Sequence, residues 1–287
     1  MVNGTSAIKR ERRTRAEIEA LESAIYEIAE AEKPCTIRGI YYRVVSRGLT
    51  PKTEAGYRQV QNRALRMRRA KVLPYGWIAD GTRYRLKPTT FTSMDEALDI
   101  AASSYRRALW HDQNVHVEVW TEKDAITSVI DSVTWEWDVP VYVARGYTSE
   151  TFAYTTAQEI IADGKPAVIY QLGDHDPSGL NAWKDLQRKL TGFAPDVDFT
   201  FERLAVTPEQ IAEYSLPTRE TKATDTRAAK FEGRSVEVDA LPSPVLRGLV
   251  KEAIRQWIDP EALRLTEIAE RSEREILYRI AGEAVNR

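Results

Sequence analysis

Asp174 and Asp176 stand one residue apart in the stretch Ala167-Val-Ile-Tyr-Gln-Leu-Gly-Asp-His-Asp-Pro-Ser-Gly179. Carboxylates this close repel each other unless a cation, a proton or solvent compensates, and Mg²⁺ takes hard oxygen ligands of this kind. Asp, Pro, Ser and Gly also form turns, and Asp caps helices, so a surface turn is the competing reading. A third acid, Glu122, closes the earlier run "VHVEVWTE". Three acids from two strand ends point to one divalent cation. Glu118 falls on the same strand face as Glu122 but deeper, and ranks below it, a charge at a solvated sheet edge being the other reading. Lys123 and Asp124 read as charges at a helix start rather than as site residues.

From residue 111 onward, strand-like and helix-like segments alternate. "VHVEVW", "VPVYVARG", "PAVIYQL" and "VDFTFERLAV" read as strands, with helical "AITSVIDSVTWEW", "TSETFAYTTAQEIIADG" and "GLNAWKDLQRKL" between them. That order predicts a parallel α/β sheet, which binds ligands beyond the carboxyl ends of its strands. Glu122, Asp174 and Asp176 all fall at such ends. The long helical C-terminus, "VLRGLVKEAIRQWI" and "LTEIAERSEREILYRIA", serves either dimerisation or the capping of the sheet.

The first 90 residues have a different character. They hold 19 Lys and Arg against 9 Asp and Glu, whereas the remainder holds 22 against 34. A basic half joined to an acidic half suggests a polyanion-binding module attached to something else. Residues 1–14 read as a basic arm. Helices are predicted from about 15 to 32 with Thr14 as N-cap, from Thr36 to a stop at Gly48, and from Glu54 to Lys71. Two short β-like runs around Asp80-Gly81 then predict a hairpin. Three helices and a hairpin, with Arg63, Arg66, Arg68, Arg69 and Lys71 grouped on the third helix, follow the order of a winged-helix module that binds double-stranded DNA over 15–90. A connector helix over 91–110 leads to the sheet domain at 111–287.

One cysteine, Cys35, excludes an internal disulfide and a Cys-rich zinc site. No run reaches the roughly 18 apolar residues of a membrane helix, and mean hydropathy is -0.45. The expectation is a cytoplasmic protein without a membrane partner. On the second helix, Ile37, Ile40, Tyr41, Val44 and Val45 form an apolar stripe, with Tyr42 about 100° away between Arg38 and Arg43. That placement suits phosphate chemistry, and equally a half-buried aromatic bordering the core.

A glutamate after the first strand, with Asp-x-Asp, Pro and Gly after a later one, resembles the Toprim domain of topoisomerases, primases and some nucleases. The resemblance implies Mg²⁺ held by Glu122, Asp174 and Asp176, with Glu122 also moving protons. It places His175 where relatives prefer glycine, and His175 is read as an exposed turn residue, with contact to phosphate as the alternative. His111 and His116 show no partner pattern. "R-x-x-YY" on a winged helix ahead of such a domain resembles the topoisomerase VI A subunit and the related meiotic double-strand-break protein. "EVDALPSPVLRGLV" matches a Glu-x-x-Ala-Leu segment that follows their Toprim domain.

The family implies that Tyr42 is the nucleophile, forming a 5′-phosphotyrosyl bond, with Arg38 and Arg43 stabilising charge on the phosphate. It also implies a homodimer in which Tyr42 of one chain meets the metal of the other. Gly39 departs from the acidic residue usual there, and the chain is compact for the family. No phosphate-binding ATPase motif is visible, so strand passage would need a separate ATPase subunit of the B type. Two other readings stand beside this one. In the first, a Toprim metal nuclease uses water while Tyr42 only packs. In the second, a DNA-binding factor has a vestigial site.

Overall fold

The computed structural model describes residues 14–79, 87–219 and 234–285. The basic arm, apart from Thr14, and the turn of the expected hairpin lie outside the described residues. The chain divides into two compact units, Met1–Ala79 and Asp80–Arg287.

In the first unit, three helices form where the sequence places them: α1 (Arg15–Glu32), α2 (Ile37–Ser46) and α3 (Glu54–Arg69). Each starts at a threonine whose hydroxyl accepts from a backbone N–H three residues on. Thr14 does so with Glu17 in a reciprocal capping box, Thr36 with Gly39 and Thr53 with Gly56. Beyond α2, Gly48 takes φ of 70°, a left-handed conformation that suits glycine and ends the helix. Leu21, Ile25, Ile28, Ile40, Val44, Val60 and Ala64 fill the space between the helices. The first of the expected β runs is instead a 3₁₀ turn over Tyr75–Trp77, after which Ile78 bridges Cys35 in parallel.

The second unit carries a four-stranded sheet in the order β2-β1-β3-β4, with every pair parallel. The strands are β1 (His116–Thr121), β2 (Val141–Val143), β3 (Ala167–Leu172) and β4 (Phe199–Ala205). Between them run α5 (Asp124–Glu136), α6 (Glu150–Asp163) and α7 (Pro177–Phe193), as the alternation requires. After β4 come α8 (Pro208–Glu213), α9 (Ser243–Arg255) and α10 (Pro260–Val285). The helix expected over 91–110 is α4, limited to Met94–Ser104, and it packs along α10.

Both sheet faces are covered, which is why β1 and β3 read as nearly continuous apolar runs. One face packs Trp120, Ala167 and Ile169 against Ala157 and Ile160 of α6 and Trp183, Leu186 and Leu190 of α7. Trp120 stacks on Tyr142 with ring centroids 4.7 Å apart. Burying such a side chain contributes about 1.5–3 kcal/mol each, so this face is a principal source of stability. On α9, whose buried residues include Leu246, Val250 and Ile254, packing is chiefly against α5.

One polar network lies under α6. Glu118 is fully buried rather than at a solvated edge; it accepts from Trp120 Nε1 at 2.7 Å and sits 3.1 Å from His116 Nε2. His116 Nδ1 meets Asp163 at 2.9 Å, so His116 does have partners. Burial opposes its charge, but Glu118 and Asp163 outweigh that and hold its pKa above the ordinary value. A folded-state pKa above the unfolded one contributes stability in full below pH of about 6.5, and loses it as pH rises through the folded pKa. Urea midpoints should therefore fall across that window in wild type, and the slope should flatten in His116→Gln.

Candidate functional site

The chain leaves β1 toward β2 on one side, then crosses back to β3 on the other, so the strand order reverses between β1 and β3. A crevice opens beyond the carboxyl ends at such a point. Glu122 and the turn 173–176 lie there. The Glu122 backbone N–H donates to Leu172 O at 3.1 Å, and its carboxylate accepts from the Asp174 backbone N–H at 3.2 Å. The sheet thus brings together acids 52 positions apart in sequence. Gly179 is required here: a Cβ on it would come within 2.5 Å of Asp174 O and 3.1 Å of Glu122 Oε2.

The two aspartates have different partners. Asp176 is the N-cap of α7, accepting from the Gly179 N–H at 2.8 Å with Pro177 in the first turn. Asp174 is buried, and its Oδ1 accepts from the Val238 N–H at 2.9 Å. His175 is buried rather than exposed, and its backbone pairs with Val236 in an antiparallel bridge. Burial, then the charge of Arg203, lowers its pKa. Glu122 and Asp174 both have raised pKa values, chiefly from burial; Asp174 adds to the rise at Glu122, and Glu237 to that at Asp174.

Four residues of this cluster escape a sequence reading. Lys123, expected to be only a helix-start charge, is the N-cap position of α5 and sends Nζ into the acids. It lies 2.9 Å from Asp174 Oδ1, 2.9 Å from Glu237 Oε2 and 3.0 Å from Asp239 Oδ2. Glu237 and Asp239 come from the segment singled out for its Glu-x-x-Ala-Leu pattern, which is here clamped to the turn by Val236 and Val238. Arg203 of β4 donates to Gly173 O at 2.8 Å, to Asp174 O at 2.5 Å and to Gln171 Oε1. Burial pushes its pKa down to about 10, which still leaves it cationic at neutral pH.

The donor types suit a hard cation such as Mg²⁺. As arranged, however, an ammonium takes that place, and no group of three His, Cys, Asp or Glu among the described residues is disposed to hold a metal ion. Asp124, next along, pairs with Arg145 instead.

In the first unit, Tyr42 is 2 % exposed, so its position off the stripe does not bring it to the surface. Helix α2 packs against both α1 and α3, which widens its buried arc beyond one stripe. Tyr41 donates to Thr53 O at 3.1 Å and is core, as expected. Arg38 lies over the Tyr57 ring. Arg43 keeps Nε and Nη2 buried without hydrogen-bond partners, and burial lowers its pKa.

The basic residues of α3 divide in two. Arg63 is tied to Glu22 at 3.2 Å and Arg68 stacks over Tyr75, whereas Arg66, Arg69 and Lys71 are exposed. If these three meet DNA phosphates, replacing all of them with Ala should reduce the slope of log K against log salt by about 3. Arg63→Ala should instead lower thermal stability and leave that slope nearly unchanged. Binding titrations at several salt concentrations read both.

The class defined by fold and site is a mixed α/β protein: a helical, partly basic unit, and a parallel sheet with carboxylates at its switch point. No protein-family model matches this chain, and no curated protein matches it. Among the described residues no helix is long and apolar enough to cross a membrane.

Proposed function

We propose that the chain cleaves double-stranded DNA by Mg²⁺-dependent tyrosine transesterification, in the manner of a topoisomerase VI A subunit. On this reading the helical unit is a winged helix and the sheet a Toprim domain. The observation that carries it is the meeting of Glu122 and Asp174 at the switch point of a parallel sheet. Residues Glu122, Asp174 and Asp176 would hold the ion, which when bound supplies charge neutralisation at the phosphate.

The Tyr42 oxygen attacks phosphorus, the bond from phosphorus to the 3′ oxygen breaks, and that oxygen leaves as a 3′-hydroxyl after taking a proton. Because one phosphodiester replaces another, the step reverses to reseal. The phenol's ordinary pKa of about 10 makes it a poor nucleophile, so its deprotonation must be assisted and the developing charge stabilised. Arg43, next to Tyr42 in the chain, would supply positive charge for that role. Arg38 is its companion in the motif. Double-strand cleavage needs two tyrosines, so the active species is a homodimer, joined by a separate ATPase subunit if strands are passed.

The burial of Tyr42 favours a second reading, a metal nuclease in which water attacks and the tyrosine packs. Supercoiled DNA incubated with protein and Mg²⁺ and quenched in denaturant separates the two. Protein bound covalently to 5′ ends supports the transesterase; cleavage without an adduct supports the nuclease.

A further inference from the structure

His116, the first residue of β1, has a carboxylate on each ring nitrogen. Nδ1 meets Asp163 at 2.9 Å and Nε2 meets Glu118 at 3.1 Å. An ionised carboxylate only accepts hydrogen bonds, so the two contacts require both ring nitrogens to donate, and only the imidazolium carries both protons. The neutral ring has one N–H and must give up one of the acids. Geometry thus ties this arrangement to a protonation state.

The two acids are not equivalent. Glu118 is 0 % exposed; it also accepts from Trp120 Nε1 at 2.7 Å and faces the Tyr142 phenol, whose hydroxyl donates to Glu159 of α6 at 3.1 Å. Asp163 is 33 % exposed and is the last residue of α6. Leaving a buried carboxylate short of a donor costs more than releasing one that water can reach. The single remaining proton therefore stays on Nε2, toward Glu118, and Nδ1 turns a lone pair on Asp163. A second cation is at hand for that acid. Lys165 Nζ lies 3.6 Å from Asp163 Oδ1 and donates to Trp110 O at 2.6 Å and His111 O at 3.1 Å. Between Asp163 and Lys165, Gly164 takes φ of 69°, the left-handed turn that ends α6. On β3 the register partner of His116 is Ala167, which has no charge to offer in exchange.

We infer that His116 and Asp163 form a pH-operated latch between the amino end of the sheet and the C-terminal end of α6, shut while both ring nitrogens carry protons and opened at Asp163 when one is lost. On opening, Asp163 passes to Lys165 and the last turn of α6 loosens, while Glu118 keeps its donors. Burial opposes charge on His116, but Glu118 and Asp163 outweigh it and hold the pKa above the ordinary value of about 6.5, so the latch opens as pH rises from there.

Hydrogen exchange of the full chain, corrected for the intrinsic effect of pH on exchange, tests it. Protection of the backbone amides at 160–165 should fall by up to about tenfold for each unit of pH between about 6.5 and the folded pKa, while that of β1 holds steady. Asp163→Asn leaves Glu118 and its donors in place and lets a neutral ring accept at Nδ1 from the amide, so it should lower the His116 pKa and abolish the slope. Nitrogen chemical shifts should show both ring nitrogens of wild type protonated at a pH of about 6 and one of them bare once protection has fallen. A ring already neutral at that lower pH, protection at 160–165 that does not change with pH, or equal slopes in wild type and Asp163→Asn each overturn the inference. Equal loss of protection in β1 and α6 overturns it too, because the opening would then be global. Wild type alone decides if the variant does not fold.

Discussion

Tyr42→Phe is expected to abolish the covalent DNA adduct of the proposed reaction, lowering its yield by at least about 10³-fold, because the substitution removes the oxygen proposed to attack and keeps the ring. The isosteric ring keeps its packing on Tyr41, whose centroid lies 5.2 Å away, and its position under Lys52. Loss of a buried hydroxyl costs about 0.5–1.5 kcal/mol of stability in typical cases, so the variant should stay folded and bind DNA. Circular dichroism and DNA titration verify that before the adduct is scored on a denaturing gel. Tyr41→Phe is the matched control: it loses the hydrogen bond to Thr53 O and should retain the adduct. Cleavage that persists undiminished in Tyr42→Phe, with free 5′ ends, would hand the assignment to the water-using nuclease.

The second large effect is on the turn itself. Arg203→Met should lower stability by about 3–5 kcal/mol, since it strips the donor from several buried acceptors at once. Gly173 O, Asp174 O and Gln171 Oε1 would lose their guanidinium, and methionine fills the volume without replacing a single hydrogen bond. A thermal midpoint lower by about 10 °C is the measurable result for a unit of this size. On the proposed reading DNA cleavage should fall with it, because Asp174 loses the guanidinium on its carbonyl, while the DNA affinity proposed for Arg66, Arg69 and Lys71 should not change. A variant with an unaltered midpoint would remove Arg203 from the support of the turn.

Much of this architecture was legible because local signals and the global fold agree. The Thr14 cap, the alternation of strands and helices and the acids at strand ends all follow from neighbours close in sequence. What was not legible depends on chain segments meeting from afar. Lys123 looks like a helix-start residue until residues 237–239 arrive, and Arg203 looks like an ordinary polar residue of a strand until β4 pairs with β3. Tyr42 illustrates a different limit. A ten-residue helix flanked on two sides buries more of its circumference than one apolar stripe reveals. His175 was misjudged for a related reason, because the strand-like bridge to Val236 that covers it lies 61 residues further along the chain.

The link from Val238 to Asp174 closes a loop of 64 residues, and it has a bearing on the order of assembly. Contacts of such long separation form only after the entropy of closing the loop has been overcome, and so tend to come late in folding. The strands can pair as each crossover is completed, but the carboxylate cradle exists only once the chain has passed Asp239. A nascent chain that has made all four strands therefore still lacks two of the three groups that hold Lys123. On the proposed reading, Glu122, Asp174 and Asp176 are all made before the sheet is complete, yet the backbone donor that fixes the Asp174 carboxylate arrives only with Val238, well beyond it.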